Sequence, residues 1–281
     1  MLRPFKKIIL LFWITFFNIN AKAQDGIDTA LFKQYKVKKM WVWVKLPILP
    51  NRTLNDSCKV EIYELDTFER IVYQNNLMNC YGWGGSSESF NTYDNFSKIV
   101  FSKRITPEME THIRYIYNSK NDIIKIIQTS PQRSDSFVTI NDYIYNKKNQ
   151  ALEMKTIEIV DHDSTIYIIK YDYDKADNLS VIWTYTGDMQ LISKQTFDIT
   201  PISKKVLEFS TETKLPSEKY TKGWNYYNEY AQLFMTKYNN NTWTEFIFND
   251  NGLLDQALSY NMEGKLNSWK RYYYEFYEGN E

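Results

Sequence analysis

The sequence contains few of the residues on which nucleophilic catalytic centres depend. Among 281 residues there are two histidines and two cysteines, and no serine or cysteine stands in a motif that supplies it with a base. This pattern argues against acyl transfer by a Ser-His or Cys-His pair. The glycine-rich stretch GWGGSS, from Gly82, lacks the Gly-Lys-Ser/Thr of a phosphate-binding loop and the closing glycine of a nucleophile elbow. We interpret it as a flexible loop carrying Trp83.

The chain also lacks a surplus or a cluster of positive charge. It has 34 basic and 34 acidic residues in total. Removal of an N-terminal leader with four basic residues leaves 30 bases against 34 acids, a net charge of −4. Proteins that bind the phosphate backbone generally carry a clustered basic surface. Nucleic acid is therefore not a predicted partner.

The N-terminus has the composition of a secretory signal peptide, residues 1–23. Three basic residues precede the apolar run IILLFWITFF, and Ala21-Lys22-Ala23 provides small residues at the cleavage positions. The run has ten residues, about half of the roughly 20 that a membrane-spanning helix needs. Cleavage predicts a mature chain from Gln24 with no integral membrane segment; the alternative is an uncleaved anchor. No cysteine follows the run as in a lipoprotein, so the predicted location is the periplasm, the outer-membrane surface or the cell exterior.

Aromatic residues are abundant, whereas glycine and proline are scarce. The chain contains 23 Tyr, 16 Phe and 8 Trp, but only nine Gly and seven Pro. Aromatic and β-branched side chains favour strands, and helical periodicity is hard to find beyond the leader. Alternation with a period of two is common, as from Thr165 to Tyr173. The fold class predicted is all-β.

One seven-residue motif occurs three times at a spacing of 28 residues. The segments YIYNSKN, YIYNKKN and YDYDKAD place a polar turn after Tyr117, Tyr145 and Tyr173. Asn and Asp tolerate left-handed backbone and hydrogen-bond their own turn, so Asn118, Asn146 and Asp174 each indicate strand, tight turn, strand. The chain is predicted to be an antiparallel meander of repeated β-hairpins that forms an elongated or curved sheet.

The C-terminal third continues the meander at shorter spacings. The segments YYNEYAQL, FIFNDNGLL and SYNMEGKL end at Leu233, Leu254 and Leu266, and the last strand is the aromatic KRYYYEF. Asn251-Gly252 is the strongest hairpin signal, because a type I′ turn needs positive φ at both central residues.

These residues resemble a known repeat. YDYDKADNL, FIFNDNGLL and YNMEGKL are similar to degenerate copies of the YD repeat of Rhs-type and related secreted bacterial proteins, with the pattern Tyr-Asp, two variable residues, Gly, Arg, Leu. The glycine matches at Gly252 and Gly264, and the arginine is missing throughout. The resemblance covers about residues 90 to 276. It implies antiparallel sheet in an extended surface, often outside the cell and sometimes associated with carbohydrate, with no catalytic residues of its own.

The predicted domains are an N-terminal β region, residues 24–92, and the repeat region, residues 93–281. In the first, MWVWVKL from Met40 is apolar on both faces, which predicts a covered strand. Cys58 and Cys80 are the two cysteines, and an exported chain meets an oxidising compartment. A disulfide between them would stabilise the fold by about 3 kcal/mol; the alternative is a pair of buried thiols.

Two clusters contain residue types that bind metals. Glu108, Glu110 and His112 alternate, so a strand would present them on one face. The opposite parity is occupied by apolar and aromatic residues, so we interpret the trio as the solvent face of a strand. Asp161-His162-Asp163 has the composition of a hairpin turn. Neither cluster leads us to predict a metal or a cofactor.

The surplus of aromatic side chains is the main clue to function. An open sheet hides alternate side chains and exposes the others, so aromatic rows can stack on sugars or peptides. TKGWNYYNEYAQLFMTKY, from Thr221, also resembles aromatic cell-wall-binding repeats that hold choline. For each aromatic residue the alternative role is cross-strand packing. The binding residues predicted are Tyr115, Tyr143, Tyr171, Trp183, Trp224, Tyr226, Tyr227 and Trp243.

The function predicted is therefore a secreted, non-enzymatic protein of the cell envelope that binds a glycan or an envelope protein through an aromatic β-sheet. No catalytic residue is assigned. The alternative is a glycan-active hydrolase, which needs two carboxylates about 5 to 10 Å apart in a cleft.

Overall fold

The computed structural model describes residues 29–45, 57–68, 70–77, 85–160, 163–199, 206–214 and 217–277. These ranges contain a short helix, α1 (Thr29–Gln34), and eighteen strands. No helix within them is long and apolar enough to cross a membrane. The strands are β1 (Val37–Lys45), β2 (Ser57–Leu65), β3 (Ile71–Leu77), β4 (Ser86–Tyr93), β5 (Ile99–Ile105), β6 (Glu110–Tyr117), β7 (Ile123–Ser130), β8 (Arg133–Tyr145), β9 (Ala151–Val160), β10 (Asp163–Tyr173), β11 (Leu179–Thr186), β12 (Leu191–Ile199), β13 (Val206–Thr213), β14 (Lys219–Tyr227), β15 (Leu233–Tyr238), β16 (Trp243–Phe248), β17 (Leu254–Tyr260) and β18 (Leu266–Phe276).

The strands form a closed antiparallel barrel. Each pairs with the next in sequence, and β1 pairs with both β2 and β18, so that Trp41 lies between Ile62 and Tyr273. The prediction of an all-β antiparallel meander is confirmed. The prediction of an open elongated or curved sheet is wrong, because the first strand closes the meander against the last. Closure removes the two unpaired edges that an open sheet would expose.

The two faces of the barrel wall differ sharply in burial. Side chains alternate along each strand, and paired residues of neighbouring strands share a face. Val42, which is 0% exposed, lies on the same face as Tyr272, Ala257 and Phe246, and all four are buried. Ile169 and Met154 pair on this face too, on the far side of the barrel. We call it the inner face and the opposite one the outer wall.

Helix α1 packs against the inner face. Phe32 is 2% exposed and contacts Tyr274 edge to face, with ring centroids 6.1 Å apart. Its neighbours in the core include Met40 and Val42 of β1 and Phe246 of β16. Because Val37 follows the helix closely, α1 fills the barrel at the end where β1 begins.

Each copy of the repeated tyrosine motif ends in the same type of turn. In residues 118–122 the Asn118 amide donates to the Asp122 carbonyl, and the Asn121 amide donates back to the Asn118 carbonyl. The Asn118 side-chain Oδ1 accepts from two further amides, and Asn121 has a φ of 72°. This is a three-residue hairpin loop that ends in a left-handed residue. The same backbone bonds and left-handed fourth residue recur in turns 94–98, 146–150, 174–178, 228–232, 249–253 and 261–265.

The tyrosine before the turn also has a structural role. After each such turn the strand carries a bulge, and the β9–β10 ladder stops at the pair Lys170 and Glu153. The carbonyl of Ala151, the first residue of β9, accepts a hydrogen bond from the Tyr173 hydroxyl at 2.9 Å instead. Equivalent bonds join Tyr93 to Ile71, Tyr117 to Ile99, and Tyr274 to Leu254. In the hairpins that Tyr93, Tyr117 and Tyr173 precede, the tyrosine hydroxyl satisfies this carbonyl. Tyr145 donates to the Asp122 carboxylate instead, and Phe248 has no hydroxyl.

The structure makes a specific prediction for this hydroxyl. Tyr173→Phe is expected to lower the free energy of unfolding by about 1–2 kcal/mol, because the Ala151 carbonyl loses its partner. Urea denaturation of both proteins measures the change. Tyr220→Phe is the control, since Tyr220 lies on the outer wall and is 58% exposed. Equal stability of the Tyr173 variant and the native protein would contradict this role.

The turn at Asn251-Gly252 differs from the prediction. A hairpin turn is present there, but Gly252, with a φ of 76°, is the residue of the pair in the left-handed region. The loop is of the same three-residue type that follows the repeated tyrosine motif, and the Asn249 side chain caps it. The prediction of a type I′ turn is wrong, because the chain turns one residue earlier than a two-residue loop requires.

A candidate binding face on the outer wall

Tryptophan and tyrosine are distributed differently between the two faces of the barrel. Tyrosines predominate on the inner face, where several close the hairpins. The tryptophans of the described ranges all lie on the outer wall. On β1, Trp41 and Trp43 alternate with the inward-facing Val42, and the cross-strand register places the others on the same outer face. They are half-buried by their neighbours. These residues are Trp41, Trp43, Trp183, Trp224, Trp243 and Trp269.

Two of these tryptophans belong to a continuous row that crosses five strands. Glu208 pairs with Trp224, Trp224 with Lys237, Lys237 with Trp243, and Trp243 with Tyr260. We call these five residues the outer Trp row. With strands about 4.8 Å apart, the row is roughly 19 Å long. Its exposed centre is Lys237, between two indole rings.

Trp224 is held by a carboxylate and flanked by a cation. Its indole Nε1 donates to Glu208 Oε2 at 2.9 Å. Lys222 Nζ lies 2.6 Å from the other Glu208 oxygen and 5.2 Å from the Trp224 ring centroid. The hydrogen bond from Lys222 lowers the pKa of the Glu208 carboxyl, because it stabilises the ionised form. The indole orientation is therefore set in advance by two polar neighbours.

Trp243 has a related environment. Its Nε1 donates to Glu245 Oε1 at 3.1 Å. The Tyr260 ring stacks on the indole with centroids 4.7 Å apart and an interplanar angle of 16°. The Tyr260 hydroxyl donates to the second Glu245 oxygen at 3.4 Å. Two aromatic rings and one carboxylate thus form a compact unit next to Lys237.

Trp183 repeats the arrangement elsewhere on the wall. It lies on β11, three strands from Trp224, and its Nε1 donates to Asp172 Oδ2 at 2.8 Å. Lys194 Nζ lies 4.5 Å from the ring centroid. An indole, a carboxylate that accepts from its N–H group, and a nearby lysine therefore occur both here and at Trp224.

The structure divides the predicted binding residues between the two faces. Tyr115, Tyr143, Tyr171 and Tyr227 lie on the inner face, whereas Trp183, Trp224, Tyr226 and Trp243 lie on the outer wall. Trp224 and Trp243 come together in the outer Trp row.

The inner-face tyrosines have mainly structural surroundings. Burial raises the pKa of the Tyr143 and Tyr171 hydroxyls, and Tyr143 donates to the Ile123 carbonyl at 3.3 Å. Tyr143 also stacks on Tyr145. Whether any of the eight predicted residues binds a partner stays a prediction.

Trp41, Trp43 and Trp269 were missed by the sequence interpretation. Trp41 stacks on Tyr273 of β18 with an interplanar angle of 11° and centroids 6.1 Å apart, and Lys59 Nζ lies 5.6 Å from the Trp41 ring. Trp269 donates its indole N–H to Gln256. The alternation in MWVWVKL would have placed Trp41 and Trp43 together on one face.

The predicted disulfide involves one described residue. Cys58 lies on β2 and packs against the inner core around Val44. Cys80 lies outside the described residues, so the bridge stays a prediction. Gly82, Trp83 and Gly84 of the glycine-rich stretch also lie outside them, as do Asp161 and His162.

The first candidate metal cluster is divided by the fold. Glu108 lies in the turn before β6, whereas Glu110 and His112 are on the outer wall of β6, with His112 Nε2 2.7 Å from Glu110 Oε1. Glu110 also pairs with Lys103 at 2.9 Å. In the parts of the chain that the structure describes, no group of three potential ligands is close enough to hold a metal.

Comparisons with known proteins give neither a family nor a curated relative: no family model matches the chain, and no curated protein does. Among solved structures, the chain is similar to a porin-like protein from Bacteroides uniformis ATCC 8492, at 10% identity and a TM-score of 0.44, over 85% of this chain and 98% of that one. The chain is also similar to a porin-like protein from Bacteroides vulgatus ATCC 8482, at 10% identity and a TM-score of 0.32, over 86% of this chain and 98% of that one. The structure titled TcdB2-TccC3-TEV gives 12% identity and a TM-score of 0.35, over 81% of this chain and 13% of that chain. Similarities at this level carry no argument about function.

The prediction that the mature chain has no integral membrane segment is wrong. It considered apolar helices alone, whereas the described strands close into an 18-stranded barrel. A closed barrel satisfies its backbone hydrogen bonds internally, and it is the form in which β-strands cross a bilayer. The outer wall of this barrel also carries cross-strand ion pairs, such as Lys39 with Glu64 and Lys222 with Glu208.

Proposed function

We propose that this chain is a non-enzymatic β-barrel protein of the bacterial envelope that binds a glycan along the outer Trp row. The observation that carries the proposal is the recurring unit of an indole ring, a carboxylate bonded to its N–H group, and a nearby lysine or tyrosine. The leader-like composition of residues 1–23 supports a location in the periplasm, on the outer-membrane surface or outside the cell.

The chemistry of the row suits a sugar chain. Indole rings offer flat apolar surfaces, and their neighbours are polar. Glu208 and Glu245 have oxygens that accept from hydroxyl groups, and Lys237 donates. Small-molecule sites combine apolar surface with a few placed polar groups in this way. The hydrogen bonds of Trp224 and Trp243 hold the rings in place before binding, which reduces the entropy lost on binding.

The hairpin geometry supports a relation to the YD repeat. The position of the family's glycine corresponds to the left-handed fourth residue of each turn, where this chain has Gly252, Gly264 and Asp177. The position of the family's Asp corresponds to the side chain that caps the turn, as Asp174 does here. We propose that the repeats are degenerate members of that class, and the matching turn chemistry is the support.

The hydrolase alternative lacks a comparable supporting observation. A general acid in such an enzyme needs a carboxyl group with a raised pKa. Six carboxyl groups have pKa values that hydrogen-bonded partners lower, the direction opposite to that needed for a general acid. They are Asp66, Glu110, Asp174, Glu208, Glu212 and Glu275.

A glycan titration tests the proposal. Purified protein is titrated with envelope polysaccharides and peptidoglycan fragments, and tryptophan fluorescence and calorimetry measure the binding. We expect Trp224→Ala and Trp243→Ala each to weaken affinity at least tenfold, about 1.4 kcal/mol. Tyr220→Ala is the matched control, because Tyr220 lies on the same strand and face as Trp224. It should bind as the native protein does.

Two results would overturn the proposal. The first is a native protein that binds none of these glycans but captures an envelope protein through the same row. The second is an equal loss of affinity in the Tyr220 control. Unchanged melting temperatures of all three variants would exclude misfolding as the cause of a loss.

A further inference from the structure

Seven turns described at one mouth of the barrel have the same length of five residues. Neighbouring strands run in opposite directions, so every second connection lies at the same end. The connections 66–70, 94–98, 118–122, 146–150, 174–178, 228–232 and 249–253 all lie at the end where β1 begins. We call this end the turn mouth. Each of its turns is capped by an Asp or Asn side chain.

Three of these turns expose an aromatic ring at the same position. Phe68, Phe96 and Tyr230 are each the third residue of their turn, and they are 70%, 81% and 76% exposed. The backbone amide of each donates to the capping side chain, as Phe96 does to Asp94 Oδ1 at 2.8 Å. The rings therefore project from a fixed backbone into the solvent beyond the end of the barrel.

Cations accompany the rings. The Arg70 guanidinium lies 5.0 Å from the Phe68 ring centroid, and Lys98 Nζ lies 5.8 Å from that of Phe96. Two further turns of this mouth carry Lys120 and Lys148 at the position that the aromatic residues occupy. An aromatic ring with a nearby Arg or Lys side chain is the composition that proteins place at the headgroup level of a bilayer.

A partial apolar collar, on five of the eighteen strands, lies just below these turns. Ile116, Ile144, Leu152, Phe234 and Ile247 are exposed, and each lies within two residues of the turn-mouth end of its strand. Charged residues follow on the outer wall below the collar, among them Glu153 and Lys170. Exposed apolar side chains thus lie close to this mouth on those five strands.

We propose that the turn mouth docks on a lipid bilayer, with Phe68, Phe96 and Tyr230 inserted at the interface. The described turns at this mouth share one length, which suits a flat partner. The aromatic rings contact the acyl boundary, and Lys98 reaches the lipid phosphates, whereas the Arg70 guanidinium is bound to Asp66.

Vesicle co-sedimentation tests this docking. The purified protein is mixed with vesicles of phosphatidylethanolamine and phosphatidylglycerol. A triple variant, Phe68→Ala with Phe96→Ala and Tyr230→Ala, is expected to partition at least tenfold more weakly. The matched control is Met189→Ala with Tyr220→Ala and Met262→Ala, three exposed side chains near the opposite mouth, and it should sediment like the native protein.

Several outcomes would overturn the proposal. These are failure of the native protein to sediment, equal losses in the two triple variants, and full retention of binding by the turn-mouth variant. The native protein and the turn-mouth variant are also compared by carbonate extraction. If both resist extraction equally, the barrel wall and not the turn mouth makes the membrane contact. Glycan affinity should be unchanged in the turn-mouth variant, so failure of lipid docking is distinguishable from failure of glycan binding.

Discussion

Replacing Phe32 with alanine is expected to lower the free energy of unfolding by about 3–5 kcal/mol. Phe32 is the side chain through which α1 enters the barrel, and it is almost completely buried against Met40, Val42 and Tyr274. Its loss leaves a cavity in a core made by strands from both ends of the chain. Urea denaturation, followed by tryptophan fluorescence, measures the change.

The control for this variant is Lys33→Ala. Lys33 is the next residue of α1 and is exposed, so its replacement should change stability by less than about 0.5 kcal/mol. A loss of less than about 1 kcal/mol for Phe32→Ala would show that α1 does not fill the barrel, since it would fall below the range for a buried phenylalanine.

The second large effect is expected for Gly223→Ala, at about 2–3 kcal/mol of destabilisation. Gly223 is on the inner face of β14 and lies under the ring of Phe209. A Cβ atom there would be 2.5 Å from Phe209 Cζ and 3.0 Å from the backbone oxygen of Lys237. The Phe209 ring is itself packed edge to face on Tyr238, with centroids 6.0 Å apart. Neither neighbour can move away freely, so the strands must shift.

A double-mutant cycle isolates this contact. If the clash with the ring dominates, Gly223→Ala in the Phe209→Leu background should destabilise by clearly less than in the native background. Thr221→Ala, two residues earlier on the same face, is the control and should be near neutral. Additive effects of the two changes would show that the Lys237 backbone, and not the ring, resists the added methyl group.

Gly223→Ala is also expected to weaken glycan binding. Gly223 precedes Trp224, and its added methyl group presses on the backbone of Lys237, the centre of the outer Trp row. A shift between β14 and β15 changes the spacing of the two indoles, and binding sites are sensitive to displacements of this size. The same titration that tests the row measures this effect.

The hairpins were predictable because their causes lie within a few residues. Asn118, Asn146 and Asp174 cap turns by bonding amides two and four positions ahead, and the residue three positions ahead is left-handed. The function of the preceding tyrosine was harder to predict. Its hydroxyl bonds a carbonyl of the neighbouring strand, as Tyr173 does with Ala151, and that partner is defined by strand register and the bulge.

The candidate binding face was predictable only in part. Trp224 and Trp243 were selected from composition, but nothing in the local pattern indicated that Lys237 separates them or that Glu208 and Glu245 orient them. Tyr143 has the same alternating context as the outer tryptophans, yet it faces the interior. Alternation along a strand divides its residues between two faces, but it does not indicate which face is inside. That depends on the direction in which the sheet closes into a barrel.

The sequence by itself determined the antiparallel meander, the positions of its capped turns and the alternation of side chains, since these follow from short-range sterics and hydrogen bonding. The tertiary structure alone decided that β1 pairs with β18, that α1 fills one end, and that most strand tyrosines face inward while the described tryptophans face outward. Trp41 meets Tyr273 only when eighteen strands of the right tilt and stagger bring the two ends of the sheet together. That condition belongs to the whole barrel and to no segment of it.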